Sequence, residues 1–217
     1  MTALLRSPLL SRVVPRHGWL REPPRGGRIS GGAVWLPRQV HGSEIVVVES
    51  ARDPVAAADG GISTTPDVGV GVVAADCVPL LLASEDGLAV AAVHVGWRGL
   101  AAGIVEAAVA RLTQLGRHGA ILAGTGPAAS GCCYEVGPEV LSQVQPSAPH
   151  RLAVPDEPRR IDLRLLVAER LERAGVGRAR CERVGPCTIC SGSWPSYRRD
   201  GESAGRLVAF VFPAHSS

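Results

Sequence analysis

Three short segments bring metal-binding or nucleophilic side chains to the ends of apolar runs: Gln39-Val40-His41-Gly42, Ala75-Asp76-Cys77 and His94-Val95-Gly96-Trp97-Arg98-Gly99. Each stands where a strand-like run meets a Gly- or Pro-containing turn, a place from which a side chain can face a cleft on a rigid base. Taken singly, His41 reads as a loop histidine, Cys77 as a small buried hydrophobe and His94 as a satisfied core histidine. Together they reach three, the number of protein ligands a catalytic zinc takes while leaving a fourth position open. Two imidazoles and a thiolate suit that ion, although no compact His-x-x-x-His spacing marks the set. The same residue types allow a metal-free chemistry in which Cys77 is a nucleophile and His94 its base, which leaves His41 without a task. A copper phenol oxidase fits poorly, because multicopper sites use His-x-His pairs and none of the six histidines forms one.

Arginines supply the complementary chemistry. A planar guanidinium grips phosphate oxygens in a bidentate way, which makes Arg98, Arg198 and Arg199 candidate anion binders, with surface ion pairing as the plainer alternative. Arg98 follows a Gly-Trp turn at the head of a predicted helix, where anions are favoured. Asp76, as a strand neighbour of Cys77, is expected to point the other way and to support the site rather than ligate, and Gln39 is placed in the same supporting role. Cys187-Thr188-Ile189-Cys190 fits a redox or zinc CxxC pattern, but a structural zinc needs a second ligand pair and the sequence offers none at a suitable spacing. Cys132 and Cys133 are adjacent and poorly disposed to bond each other. Packing or a shared pocket wall is therefore the expectation for these four and for Cys181.

The elements that must position these groups follow from periodicity. Strands are predicted at Ile45–Val48, Val68–Val73, Val78–Ala83, Leu88–His94, Ala120–Gly124, Arg180–Val184 and Arg206–Phe212. A helix is predicted over Gly99–Leu115, from the stripe of Leu100, Ile104, Val105, Ala108, Leu112 and Leu115. A second begins at Asp162, a good N-cap, and stops at Gly175, and a shorter one starts at Pro138. Strands and helices alternate without a repeated βα period, which predicts an α+β fold with mixed sheets. Residues 1–37 read as an irregular lead-in: Pro23, Pro24, Gly26, Gly27, Gly31 and Gly32 cluster there without a pattern able to form a pocket wall, and a single catalytic domain spans 38–217.

Composition narrows the function classes. The chain of 217 residues is 46% hydrophobic and 20% charged, enough for one sizeable core. All 23 basic residues are arginine, the usage of a GC-rich genome, and a net charge of +3 spread from Arg6 to Arg206 gives no basic stripe for nucleic acid. Arg6 and Arg12 interrupt the apolar start, so no signal peptide is expected. No uninterrupted apolar run is long enough to span a bilayer, so no membrane partner is expected and a cytoplasmic protein is. Six cysteines are too few for a disulfide scaffold at this length.

The three segments above, together with Ala75-Asp76-Cys77-Val78-Pro79, Gly126-Pro127, Tyr134-Glu135-Val136-Gly137, Cys187-Thr188 and Ser196-Tyr197-Arg198-Arg199-Asp200, resemble the ordered landmarks of the YfiH-type purine nucleoside phosphorylases, a family earlier labelled polyphenol oxidase or laccase. The resemblance implies a domain of α/β/β/α layers with a metal on His41, Cys77 and His94, zinc with copper as the alternative. It also implies phosphorolysis of adenosine, inosine, guanosine and methylthioadenosine to the free base and ribose 1-phosphate, with adenosine deamination alongside. Zinc would act as a Lewis acid, with attack at purine C6 in the deamination and phosphate displacing the base at the anomeric carbon in the phosphorolysis. Purine nucleosides and phosphate are then the partners. The chain departs from the family in having Arg38 where Asn commonly precedes Gln-Val-His-Gly and Trp194-Pro195 where two Phe are usual. Its N-terminal section before Gln39 is also shorter. A member keeping the fold without the pocket would be a non-catalytic cell-envelope factor, which a nucleoside turnover assay separates from the enzyme readings.

Overall fold

The computed structural model describes residues 4–23, 28–29, 32–115, 119–144 and 159–215. Within them the β-branched runs pair into two six-stranded sheets. The first contains β1 (Leu4–Leu5), β2 (His17–Leu20), β3 (Arg28–Ile29), β4 (Gly32–Trp35), β7 (Val68–Ala74) and β12 (Leu207–Val211), in the order β1-β2-β12-β7-β4-β3. The second contains β5 (Ile45–Val47), β6 (Gly60–Ser63), β8 (Val78–Ser84), β9 (Val90–Val95), β10 (Ile121–Thr125) and β11 (Cys181–Arg183), in the order β11-β10-β8-β9-β6-β5. Both sheets are mixed: β4–β7, β5–β6 and β10–β11 run parallel and the other pairs antiparallel. The α+β class with mixed sheets is the one the sequence predicts.

The period of two along β8 and β9 divides two cores. Leu80, Leu82, Ala91 and Val93 face the helices, packing with Ile104, Val105, Ala108 and Leu112 of α2 (Ile104–Leu115), Val140 and Leu141 of α3 (Pro138–Val144), and Leu166, Val167 and Leu171 of α4 (Leu163–Arg173). Leu81, Ala83, Val90 and Ala92 face the first sheet, meeting Val70, Val72, Ala209 and Val211. Strands covered on both faces read as continuous apolar runs, which is why these two stand out in the sequence. A smaller cluster of Ile29, Val208, Phe210 and Phe212 lies on the outer face of the first sheet.

Asp162 caps α4 as predicted, its side chain accepting from Arg164 N and Leu165 N, and the helix ends before Gly175, which has φ +93°. Two expectations are corrected. The predicted Gly99–Leu115 helix is two helices, α1 (Trp97–Ala101) and α2, separated at Gly103 with φ +83°; the apolar stripe runs across the break because both pieces pack on β9. The lead-in is not irregular either, since β1 to β4 lie within it, although Pro24, Gly26, Gly27 and Gly31 fall outside the described residues. Strands of two to four residues between glycines and prolines are too short to display a period. Trp19 on β2 is fully buried in the inter-sheet core and donates its indole N–H to Pro79 O at 3.1 Å.

Candidate metal centre

Each of the three residues is presented by a different junction. His94 is carried near the end of β9 and is 3% exposed; Cys77 lies in the tight turn between β7 and β8; His41 lies in the turn that precedes β5. Of the three described non-glycine residues with positive φ, two are here, His41 at 59° and Asp76 at 86°, a backbone cost that persists only where surrounding contacts fix it. The ligand atoms of His41, Cys77 and His94 all lie within 4.8 Å of one another, and the two imidazoles meet edge to face. Gly96 leaves the space for this: a Cβ there would fall 3.0 Å from His41 Nδ1 and 3.2 Å from Cys77 Sγ.

The organising group is one that sequence reasoning missed. Asp59, fully buried at the start of β6, accepts the His94 Nδ1 proton at 2.8 Å through Oδ1, which also accepts from His41 N at 2.9 Å. Its Oδ2 accepts from Val40 N at 3.1 Å and Gly42 N at 2.7 Å. One carboxylate thus fixes both the ring of one candidate ligand and the backbone turn of another. Burial alone would push the Asp59 carboxyl up, but the hydrogen bonds from His94, Gly42 and Val40 hold it below the usual carboxylate range. Burial likewise opposes ionisation of Cys77, and hydrogen bonds and charge from His41 and His94 overcome it and bring the thiol down to about 6. His94 is disfavoured as a cation by burial, yet Asp59 and Cys77 raise it to about 9. Without a metal, an ionised thiol therefore sits against the His94 imidazolium, with the His41 ring beside it.

The supporting residues are engaged as follows. Asp76 lies in a turn with positive φ, not in a strand as predicted; its carboxylate accepts from Thr188 Oγ1 at 2.5 Å and Arg198 N at 2.7 Å, and its carbonyl accepts from Ala129 N at 2.9 Å. Gln39 clamps β7 with both ends of its amide, donating to Val73 O and accepting from Val73 N, each at 2.8 Å. Arg98 is exposed and stacks 4.3 Å from the Trp97 ring. Arg198 donates to Glu135 O at 2.8 Å and lies 4.9 Å over the ring of Tyr134. Arg199 donates to Thr188 O, Ile189 O, Trp194 O and the Asp200 carboxylate, so its fork is spent on its own chain. A cavity of about 470 Å³ beside Arg198 is also lined by Glu135, Val136, Glu139 and Arg159. A larger one, about 610 Å³, lies between α4 and β11 and touches none of the three candidate ligands.

The remaining cysteines correct an expectation. Cys132 and Cys133 are the second pair that sequence spacing did not reveal: their sulfurs and those of Cys187 and Cys190 lie within 4.8 Å of one another. The turn after β10 and the short helix α5 (Thr188–Ser191) are brought side by side by the Thr188 N–H, which donates to Ala128 O at 3.1 Å. Cys181 lies outside this group, with its Sγ 3.7 Å from Gly177 O.

A family model described as "Multi-copper polyphenol oxidoreductase laccase" matches residues 27–214. A purine nucleoside phosphorylase of Streptomyces coelicolor is 38% identical over 183 residues, 82% of this chain and 74% of that protein. Purine nucleoside phosphorylase YfiH of Escherichia coli is 33% identical over 193 residues, 86% of this chain and 76% of that protein. The crystal structure of YlmD from Geobacillus stearothermophilus superposes with a TM-score of 0.82 at 23% identity, covering 96% of this chain and 94% of that one. No described helix is long and apolar enough to cross a membrane. By the span of the family model and the identity to relatives over four-fifths of its length, the chain belongs to the YfiH-type polyphenol oxidoreductase laccase family.

Proposed function

We propose that this chain is a zinc-dependent purine nucleoside phosphorylase that cleaves adenosine, inosine, guanosine and methylthioadenosine with phosphate, and also deaminates adenosine. The observation that carries the reading is the convergence of His41, Cys77 and His94, with His94 braced by the buried Asp59 carboxylate. The donor set fits the ion: two imidazoles and an ionised thiol make three protein ligands and leave one position for substrate. A carboxylate on the far nitrogen of a ligating histidine is the usual way its ring is oriented and its basicity raised. When bound, zinc supplies Lewis acidity at the open position. Copper fits the set less well, because no third histidine joins His41 and His94 in the described group.

The chain's own groups divide the remaining work. Asp59 holds the Nδ1 proton of His94, which leaves Nε2 as the donor atom. Asp76 fixes the turn that presents Cys77 and, through Arg198 N, the start of α6 (Tyr197–Asp200). Arg98 and Arg198 are assigned to phosphate, whereas the engaged Arg199 positions the Thr188–Trp194 segment. The relatives' name supports the reaction class, and the fit of the site supports its dependence on metal.

The test is a nucleoside panel with and without phosphate on metal-analysed protein. Ribose 1-phosphate and free base should form, and Cys77→Ala should lose both turnover and one zinc. Arg98→Lys and Arg198→Lys, which keep charge but not the fork, should raise the KM for phosphate. A cysteine hydrolase is the second reading, favoured by the thiolate–imidazolium character of Cys77 and His94. It wins if His41→Ala keeps activity and an alkylatable Cys77.

A further inference from the structure

We propose that Cys132, Cys133, Cys187 and Cys190 hold a second, structural zinc ion, separate from the His41 site. All four are free thiols, their sulfurs lie within 4.8 Å of one another, and Cys132 Sγ is 3.7 Å from Cys190 Sγ. A tetrahedral ion with zinc–sulfur bonds of about 2.3 Å sets its sulfurs about 3.8 Å apart, so this pair already stands at the edge length the ion requires. Thiolates of an iron–sulfur cluster bind different irons and are spread more widely, so the close grouping selects a single ion. Four thiolates close the coordination sphere and leave no open position, which makes the site structural.

A buried cation lies beside the two segments that carry the cysteines. Arg164 on α4 is 3% exposed, a burial rare for a charged side chain unless it is paired. It donates to Gly185 O and Ser130 Oγ, on the two segments that carry the cysteines, and its buried Nε has no hydrogen-bond partner. A zinc tetrathiolate is dianionic, and a buried guanidinium close by offsets part of that charge. Consecutive cysteines can both reach the ion because Cys133 N and Tyr134 N bond back to Ser130 O, curling the chain.

The location gives the ion a task. The two segments it would join are those that grip Asp76, through Ala129 N on one side and Thr188 Oγ1 on the other. Thr188 lies between two of the sulfurs, and Asp76 precedes Cys77. The ion would brace the turn that presents Cys77, tying positions 58 residues apart in sequence.

Elemental analysis of the untagged full chain tests this without any activity measurement. The wild type should carry two zinc ions per chain, Cys77→Ala one, and Cys187→Ser/Cys190→Ser one. One zinc in both the wild type and Cys77→Ala still supports this site and removes the metal from the His41 reading. One zinc in the wild type that disappears with Cys77→Ala overturns this proposal and leaves the other intact. Because a Cys→Ser chain can fail to fold, Cys77→Ala is also loaded with Co²⁺ alone. Intense thiolate-to-cobalt absorption with a tetrahedral d–d envelope is expected, and its absence overturns the proposal. A Cys132–Cys190 disulfide found by mass spectrometry in freshly purified protein does so as well.

Discussion

Asp59 carries more of the candidate centre than any ligand does, because one carboxylate accepts from three consecutive backbone N–H groups and from His94. Asp59→Asn replaces one acceptor oxygen with an NH₂ that faces donors, so either the turn at His41 or the His94 ring must let go. The expected result is zinc affinity lower by about 10–100-fold in chelator competition, the range for lost supporting hydrogen bonds, and affinity equal to wild type would refute the role. Gly96→Ala probes the same site sterically. Gly96 has φ −82°, which alanine adopts freely, so its only penalty is the Cβ pressing on His41 Nδ1 and Cys77 Sγ. Weaker zinc binding with an unfolding midpoint near wild type is expected; a loss of stability with full zinc affinity would move the constraint elsewhere. His41, Cys77 and His94 were legible because their types are those of a zinc site and their flanking residues match family landmarks. Asp59 was not, since an aspartate before two glycines reads as a turn and its burial arises only when β6 pairs with β9. Cys132 and Cys133 were hidden similarly: their partners lie far along the chain, and spacing reports only ligands near in sequence.

Among the elements, the long apolar runs of β7, β8 and β9 and the stripe of α2 were readable, while the short strands before Gln39 were not. β2 illustrates the reason, since His17-Gly18-Trp19-Leu20 has no alternation and owes its strand to pairing with β12 and β1. His17 there is fully buried and serves as a neutral hinge of hydrogen bonds, its Nδ1–H donating to Val14 O at 2.7 Å and its Nε2 accepting from Ser7 N at 3.1 Å. Burial, more than anything else, holds its pKa below the ordinary histidine value. The unfolded chain takes up a proton near pH 6.5 and the folded chain does not, so the unfolded state binds more protons below that pH. Stability should therefore be fully present above about pH 6.5 and fall as pH drops toward the depressed folded value. Urea midpoints measured from pH 8 down to pH 5 check the sign. His17→Gln, which cannot titrate, should flatten this part of the profile, and an equal slope in both proteins would assign it to other groups.

At the scale of the whole molecule, the described residues before Leu36 are part of the core and not a dispensable lead-in. They supply β1 to β4, so their removal would strip β12 of its partner β2 and β7 of its partner β4, exposing two strand edges at once. They also fill the space between the sheets with Leu10, Val14, Trp19 and Trp35. The fit around Trp19 is close enough that a Cβ on Gly126 would fall 2.2 Å from its ring, which is why glycine precedes Pro127 there. Trp19→Ala should accordingly cost about 3–5 kcal/mol, a large share of the roughly 5–15 kcal/mol that holds a domain together. Because Trp19 donates to Pro79 O, two residues beyond Cys77, the loss should loosen the turn that presents the thiol. Zinc affinity is then expected to fall together with the urea midpoint, and added zinc should restore part of the midpoint by mass action. A chain reduced to residues 38–217 should fail to unfold cooperatively. If that shorter chain unfolds in one sharp transition and still binds zinc, the second sheet and its helices form the stable unit alone, and the first sheet serves recognition instead of stability.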